Sequence, residues 1–303
     1  MQPTTTNKEI SIEYLSKGLT ALSNANKKDW FLGHFGAAII AGEFLISECG
    51  LEDDVASLVR KSMDSFITTQ SSLFKEINNK ELDNNWKEKI LHSIKLNLDK
   101  LRTSGHGVIF GTLALKALTL KEELATQGIV NGIVKLLELT THDRLDRYYG
   151  ISNYDEVIVE ADDNILQYKN ESDLINTPFS ELAVVYEDEF INNKSYFFTG
   201  CKIHGITHAH ALCMLDELGY KELSKKGYEN HRLQTKLNRH KSTSPNLLKT
   251  EKLYCPFDKA YWERDLDDTH YIKLPYSAIS LLKKLPQDKA EKYKKMVAPL
   301  WSY

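Results

Sequence analysis

Three segments of this chain begin with a histidine and continue as long, almost uncharged runs of small and apolar residues. They are GHFGAAIIAGEFL from Gly33, GHGVIFGTLALKAL from Gly105 and HGITHAHALCML from His204. A helix that is apolar on every side must be buried on every side. Glycine and alanine also let neighbouring backbones approach closely. The three segments therefore predict inner helices, at about 30–48, 106–118 and 204–218, that carry imidazoles into the interior.

Amphipathic stretches stand between the inner segments. Apolar residues repeat at steps of three and four over residues 9–23, 52–75, 84–102 and 123–141, with charged residues on the opposite face. This period is typical of helices that lie on the surface of a core. The pattern predicts an all-α fold, a layered helical bundle of inner apolar and outer amphipathic helices. Closure into an α/α toroid and a compact orthogonal bundle both fit the pattern.

Composition narrows the classes of partner. The chain has 303 residues, a net charge near −3, four cysteines without a CxxC pair, and an N-terminus without a basic and apolar leader. These features give no indication of nucleic acid, of an anionic membrane or of a disulfide framework. We expect a cytoplasmic protein with a single domain over 1–303. The irregular region 143–202 and the polar part 220–303 should pack on the same core. The oligomeric state is left open.

The third histidine segment contains the strongest local signal. His204 and His208 are four residues apart and so share a helix face, the spacing at which two imidazoles can bind one metal ion. Cys201 precedes His204 by three residues, which is also acceptable spacing for a zinc ligand. His210 points elsewhere and is expected to contact substrate. The alternative is that these residues are ordinary members of a packed core.

The other two segments supply candidates for the same interior. We expect His34 and His106 to lie across a cavity from the His204–His208 pair, with all four serving as acid–base or metal-binding groups. Trp30 and Phe110 would form apolar walls of that cavity. A separate pair, Glu138 and His142, has the i, i+4 spacing of helical metal ligands. A charged helix end that carries several ion pairs explains this second pair equally well.

Two family resemblances follow from these segments. The chain resembles questin-oxidase-like proteins in three pieces that occur in matching order: Trp30-x-Leu32-Gly33 with Phe44 downstream, His106-Gly107-x-Ile109, and His204-Gly-Ile-Thr207-x-x-His210-Ala-Leu. That resemblance implies a helical protein that oxygenates an organic molecule with a reduced nicotinamide. The turns Gly105-His106-Gly107 and His204-Gly205 are also similar to those of lanthionine-cyclase-like helical toroids. The second resemblance implies metal-assisted cyclisation, addition or hydrolysis.

The sequence thus predicts an enzyme with a buried, histidine-lined cavity for a small, partly apolar molecule. Oxidative tailoring is the first expectation, with a transition metal, Fe or Zn, as the cofactor. A reduced nicotinamide is expected only if the oxygenase resemblance holds. The alternatives are a metal-assisted cyclase or hydrolase, and a non-catalytic binding or scaffold protein with core histidines.

Overall fold

The computed structural model describes residues 8–185, 187, 189–190, 196–197, 200–239 and 246–302. Part of the expected irregular region 143–202 therefore lies outside the described residues. The helices, in chain order, are α1 (Ile12–Ala25), α2 (Gly33–Glu48), α3 (Asp53–Thr69), α4 (Trp86–Leu98), α5 (His106–Leu120), α6 (Gln127–Thr141), α7 (Glu171–Ser180), α8 (Gly200–Glu217), α9 (Lys221–Lys226), α10 (Tyr228–Asn238), α11 (Lys259–Trp262), α12 (His270–Leu282) and α13 (Gln287–Ser302). Two short strands, β1 (Glu189–Phe190) and β2 (Tyr196–Phe197), pair antiparallel. The all-α prediction is confirmed.

Four helices form the inner layer. Helix α2 packs on α5, α5 on α8, α8 on α12, and α12 on α2, so the inner contacts close a circuit. Helices α2, α5 and α8 are the three histidine segments, and almost all of their residues are buried. The fourth member, α12, is not one of the three histidine segments, although it also begins with a histidine, His270.

The outer layer is made of the amphipathic helices. Helix α1 packs on α2 and α6, α4 packs on α5 and α6, and α7, α9 and α10 pack on α8. Helix α4 buries one face, whereas the second half of α1 is buried on every side. Helices α1, α3, α4 and α6 lie in the four stretches where the sequence repeats apolar residues at steps of three and four.

Close packing between the layers depends on glycine where α1 crosses α2. A Cβ atom at Gly36 would lie 2.6 Å from the carbonyl oxygen of Gly18, and a Cβ at Gly18 would lie 2.6 Å from Ile40. A methyl group at either position would therefore push the two backbones apart. The small-residue composition of the inner segments serves this packing as the sequence indicated.

One helical segment among the described residues, Trp30–Glu48, is long and apolar enough to cross a bilayer by length and composition. It is 83% buried inside the fold, as expected of a core helix. The same test is passed by core helices and by membrane spans, so this segment is weak evidence of a membrane.

Candidate metal centre

Four buried histidines meet at one end of the inner layer. We call them the histidine cluster: His34 of α2, His106 of α5, His204 of α8 and His270 of α12. One ring nitrogen from each lies within 4.8 Å of the corresponding nitrogens of the other three. Each histidine falls in the first two turns of its helix, so the four inner helices run in the same direction away from the cluster. Side chains near helix N-termini point back past the helix end, which brings the four rings together.

The rings are packed against one another. Their centroids are 4.2 Å apart for His106 and His204, and 4.5 Å apart for His34 and His106. The Nε2 atoms of His204 and His270 are 3.0 Å apart. Two imidazole nitrogens bound to one ion at about 2.0–2.1 Å also lie about 3 Å apart. The same distance suits an N–H···N hydrogen bond, so the arrangement fits the cluster with or without an ion.

Two neighbours orient the rings of the cluster. The Nδ1–H of His270 donates to the Asp268 carboxylate at 2.7 Å. The Nδ1–H of His106 donates to the carbonyl oxygen of Thr103. In both residues the proton is thereby placed on Nδ1, and Nε2 keeps its lone pair. A carboxylate or carbonyl behind a histidine is the usual support of a metal-binding imidazole.

A strained turn places the carbonyl that holds His106. Thr103, Ser104 and Gly105 have φ of 45°, 54° and 86°, a left-handed conformation that costs on the order of 1 kcal/mol for each non-glycine residue. Gln234 stabilises this turn because its Nε2 donates to the Ser104 carbonyl at 3.0 Å. The Tyr154 hydroxyl accepts from the Thr103 backbone N–H at 3.0 Å. The hydrogen bonds from Gln234 and Tyr154 therefore hold the turn in this conformation. Strained backbone at functional sites is usually held by its neighbours in this way.

Burial keeps the cluster uncharged. It lowers the pKa of His34, His106 and His204 well below the usual value, and the nearby Lys273 lowers each pKa further. For His270, burial and Lys273 lower the pKa, while Asp268 opposes them. The imidazoles of His34, His106 and His204 are thus neutral at pH 7, the form in which histidine binds metals.

Lys273 is the one lysine in contact with the cluster among the described residues. Its side chain is 4% exposed, and its Nζ contacts Nδ1 of His34. Burial lowers the pKa of Lys273 to about 7. Partial burial raises the pKa of Asp268, but His270 and Lys273 outweigh it and hold that pKa below its usual range.

Aromatic residues surround the cluster. The ring of Trp30 lies 5.2 Å from that of His106, and Phe110 lies 5.4 Å from His34. Both residues were predicted as apolar walls, and the structure places both against the cluster. The ring of Phe31 lies 4.5 Å from His34 and is 45% exposed. Together with His270, whose side chain is 12% exposed, Phe31 marks the side on which the cluster is nearest to solvent.

The structure brings together three of the predicted histidines, His34, His106 and His204, and separates His208 from them. His208 Nδ1–H donates to Oε1 of Gln234 at 2.9 Å. Gly105 packs directly on the His208 ring, since a Cβ there would lie 2.7 Å from Cγ of His208. His208 therefore lies behind the turn that precedes α5 and is linked to Ser104 of that turn through Gln234.

The remaining candidates also lie outside the cluster. His210 faces α12, where its Nδ1 is 3.1 Å from the Ser277 hydroxyl. Cys201 is buried in the first turn of α8. His142 Nδ1–H donates to the backbone carbonyl of Glu138 at 3.0 Å, and that pair lines an exposed groove between α4 and α6. Within the described ranges, the histidine cluster is the only group of three or more potential ligands at metal-binding distances.

Sequence reasoning missed His270, Asp268 and Lys273. All three lie in DDTHYIK, where Asp268-x-His270 and His270-x-x-Lys273 are the only local signals. The first spacing allows a carboxylate to reach the imidazole two residues later. Nothing in the sequence links this segment to the three earlier histidines.

Comparisons with protein-family models, with curated proteins and with solved structures find no match for this chain.

Proposed function

We propose that this chain is a metal-dependent enzyme whose histidine cluster holds a divalent transition-metal ion. The observation that carries the proposal is the unpartnered state of two buried ring nitrogens. Nε2 of His34 and Nε2 of His106 are buried and have no hydrogen-bond partner among the described residues. A buried polar atom without a partner costs about 1–3 kcal/mol. A shared ion would remove that cost at His106, whose Nδ1 carries the proton, and at His34 in the tautomer whose Nδ1–H faces the Lys273 amine.

The ligand set suits particular metals. Neutral imidazoles are common ligands of Fe, Zn, Cu and Ni, whereas Mg and Ca prefer oxygen. Fe and Zn are the metals expected from the sequence. Such an ion supplies Lewis acidity, and iron also supplies redox chemistry.

Residues around the cluster would orient the ligands, exclude water and border the substrate. Asp268 and the Thr103 carbonyl hold the His270 and His106 rings in the tautomer that has its proton on Nδ1 and a lone pair on Nε2. Trp30 and Phe110 exclude water from the inner side of the cluster. The half-exposed Phe31 and the partly exposed His270 border the side from which a small, partly apolar molecule would approach.

Oxidative tailoring is the reaction that we favour. Its support is the apolar, aromatic surroundings of an uncharged ligand set, together with the questin-oxidase-like order of the three histidine segments. In such a reaction one atom of O₂ enters the substrate and the other becomes water, with two electrons from a reduced nicotinamide.

A metal-assisted hydrolase or cyclase is the second candidate, and one observation favours it. Four neutral ligands leave the full charge on the ion, which makes it a strong Lewis acid that lowers the pKa of bound water toward 7.

Elemental analysis and oxygen uptake test the proposal. Protein purified without chelator and then offered Fe(II) or Zn(II) should retain about one equivalent of metal after gel filtration. His204→Ala should abolish retention, and His210→Ala, six residues farther along α8 and outside the cluster, should not. Equal metal content in the wild type and His204→Ala would contradict the proposal. Iron-dependent O₂ uptake in the presence of NADPH would support the oxygenase. Hydrolysis by the zinc form, without O₂ uptake by the iron form, would support the hydrolase.

A further inference from the structure

A chain of hydrogen bonds runs from α10 to the turn that holds His106. Its central member is Gln234, whose side chain is fully buried. Nε2 of Gln234 donates to the carbonyl oxygen of Ser104 at 3.0 Å and to the hydroxyl oxygen of the same residue at 3.1 Å. Oε1 of Gln234 accepts from Nδ1–H of His208 at 2.9 Å. One side chain of an outer helix thus connects α8 to the turn before α5.

The acceptors fix the direction of the bonds in this chain. A carbonyl oxygen can only accept, so the Gln234 amide must present its NH₂ group to Ser104 and its oxygen to His208. That oxygen in turn requires a proton on Nδ1 of His208. Nε2 of His208 is then the unprotonated nitrogen, and it is buried without a hydrogen-bond partner in the described part of the chain. The side-chain hydrogen bond of His208 is therefore its donation to Gln234.

The turn itself is held from several directions. A Cβ at Gly105 would lie 2.7 Å from Cγ of His208, so the His208 ring fills the space behind the turn. The hydroxyl of Tyr149 lies 2.7 Å from Oγ of Ser104. Ser104 is thus fixed through both its carbonyl and its hydroxyl, in a left-handed conformation that an unsupported chain rarely adopts.

The position of the turn decides where the proton of His106 lies. The carbonyl of Thr103, the residue before Ser104, accepts from Nδ1–H of His106. A neutral imidazole carries one proton, so a carbonyl at Nδ1 leaves the lone pair on Nε2. If the turn relaxed and this carbonyl moved away, nothing would keep the proton on Nδ1. A ring with its proton on Nε2 cannot bind a metal ion through that nitrogen.

We infer that Gln234 and His208 are positioning residues of the metal centre. Through the turn they fix the Thr103 carbonyl on Nδ1 of His106 and thereby keep Nε2 of that ring available as a ligand. The ligand role of Nε2 rests on the proposed function, whereas the tautomer of His106 is a property of the metal-free protein. The two histidines that share a face of α8 thus have different tasks: His204 lies in the cluster, and His208 supports His106 through the turn.

The tautomer of His106 provides the first test. In metal-free protein with ¹⁵N-labelled histidines, the chemical shifts distinguish a protonated from an unprotonated ring nitrogen, and His106→Ala identifies the signals of this ring. Wild-type protein should carry the proton on Nδ1, and Gln234→Leu should move a detectable fraction of it to Nε2. Thr235→Val is the matched control on the same helix, because the buried Thr235 hydroxyl donates to the His231 carbonyl at 3.0 Å. It should keep the wild-type tautomer.

Metal affinity provides the second test. The protein is loaded with Co(II), whose visible spectrum reports its ligands, in competition with a chelator of known affinity. Gln234→Leu should weaken Co(II) binding about 10- to 100-fold, the usual effect of losing a partner behind a ligand, and Thr235→Val should not.

Two variants of His208 separate positioning from packing. Asparagine and leucine have similar sizes, but only the amide of asparagine can replace Nδ1–H as the donor to Gln234. His208→Leu should therefore weaken Co(II) binding roughly 10-fold, and His208→Asn should bind Co(II) nearly as tightly as the wild type. A role in packing alone would affect both variants equally.

The outcomes separate the inference from the proposed function. Wild-type protein that does not bind Co(II) would contradict the proposed function, and the tautomer of His106 in Gln234→Leu would still decide the inference. An unchanged tautomer in Gln234→Leu, or equal Co(II) affinities in His208→Leu and His208→Asn, would overturn the inference alone. If Gln234→Leu does not fold, the tautomer of His106 in the two His208 variants decides.

Discussion

The same four inner helices build two polar clusters, one near their start and one farther along, and the two are satisfied in different ways. The second, which we call the lysine–glutamate cluster, consists of Glu48 of α2, Lys116 of α5, His210 of α8 and Tyr276 of α12. Lys116 lies ten residues, or about 15 Å of helix, beyond His106. Its Nζ is 2.7 Å from Glu48 Oε1 and donates to the Tyr276 hydroxyl at 2.9 Å.

This difference shows what distinguishes a structural polar cluster from a candidate site. In the lysine–glutamate cluster a cation meets an anion, and the Tyr276 hydroxyl donates to Glu48 at 3.1 Å. His210 is tied to Ser277 and packs its ring 4.8 Å from that of Tyr276. The histidine cluster has four imidazoles, and the described part of the chain offers no hydrogen-bond partner to Nε2 of His34 or Nε2 of His106. The first cluster is complete as folded, and the second has capacity left for a ligand.

The largest expected effect is acid destabilisation of the metal-free protein. Burial lowers the pKa of His208 to about 4 and that of His231 to about 3. Because the unfolded chain takes up protons below about pH 6.5 and these native histidines do not, stability is present above that pH and falls as the pH drops toward 4 and 3. Between pH 7.5 and 5.5 the two should cost about 3 kcal/mol, measured by urea unfolding.

A bound metal ion should reduce this acid destabilisation. Because an ion on the histidine cluster competes with protons for the same nitrogens, the loaded protein should unfold at lower pH than the metal-free form. Equal free energies of unfolding at pH 7.5 and 5.5 in the metal-free protein would show that the buried histidines are not held neutral.

Comparison of His106→Ala with His210→Ala should show which of the two clusters binds metal. Loss of one of four ligands should weaken Co(II) binding more than about 100-fold, beyond the effect of losing a supporting residue. His210→Ala removes the same side chain from the lysine–glutamate cluster and should leave Co(II) affinity unchanged. The readout is competition against a chelator of known affinity. Similar losses in both variants would remove the distinction between the clusters.

Asp268→Asn should have a smaller effect on the same quantity. The amide keeps the size of the carboxylate but loses the charge that supports His270, so we expect about 10- to 100-fold weaker Co(II) binding. Asp267→Asn, at the neighbouring position, is the control. An unchanged affinity in Asp268→Asn would show that the charge of Asp268 does not support metal binding at His270.

Glu48→Gln should affect stability and not metal binding. The change leaves Lys116 without its anion, and because both side chains are partly exposed we expect a loss of about 1–2 kcal/mol in the free energy of unfolding. Co(II) affinity should stay at the wild-type value. A Glu48→Gln protein that binds Co(II) more weakly would show that the two clusters are coupled along the inner helices.

Local patterns were enough to predict the layers of the fold and three of the four clustered histidines. The inner segments were recognisable because an all-apolar helix has to be buried. His34, His106 and His204 followed because each lies near the start of such a helix. The i, i+4 spacing of His204 and His208 was less informative, because the helix face that they share is divided between the cluster and the turn before α5. His270 depends on the contact of α12 with α2 and α8, which no local spacing encodes.

The most direct test of the metal centre is a crystal of the protein grown with Zn(II) or Fe(II), with diffraction recorded at the absorption edge of that metal. The account predicts one anomalous peak among His34, His106, His204 and His270, at about 2.0–2.2 Å from their ring nitrogens. A cluster with no peak, or a peak at His208 or at Glu138 and His142 instead, would contradict it.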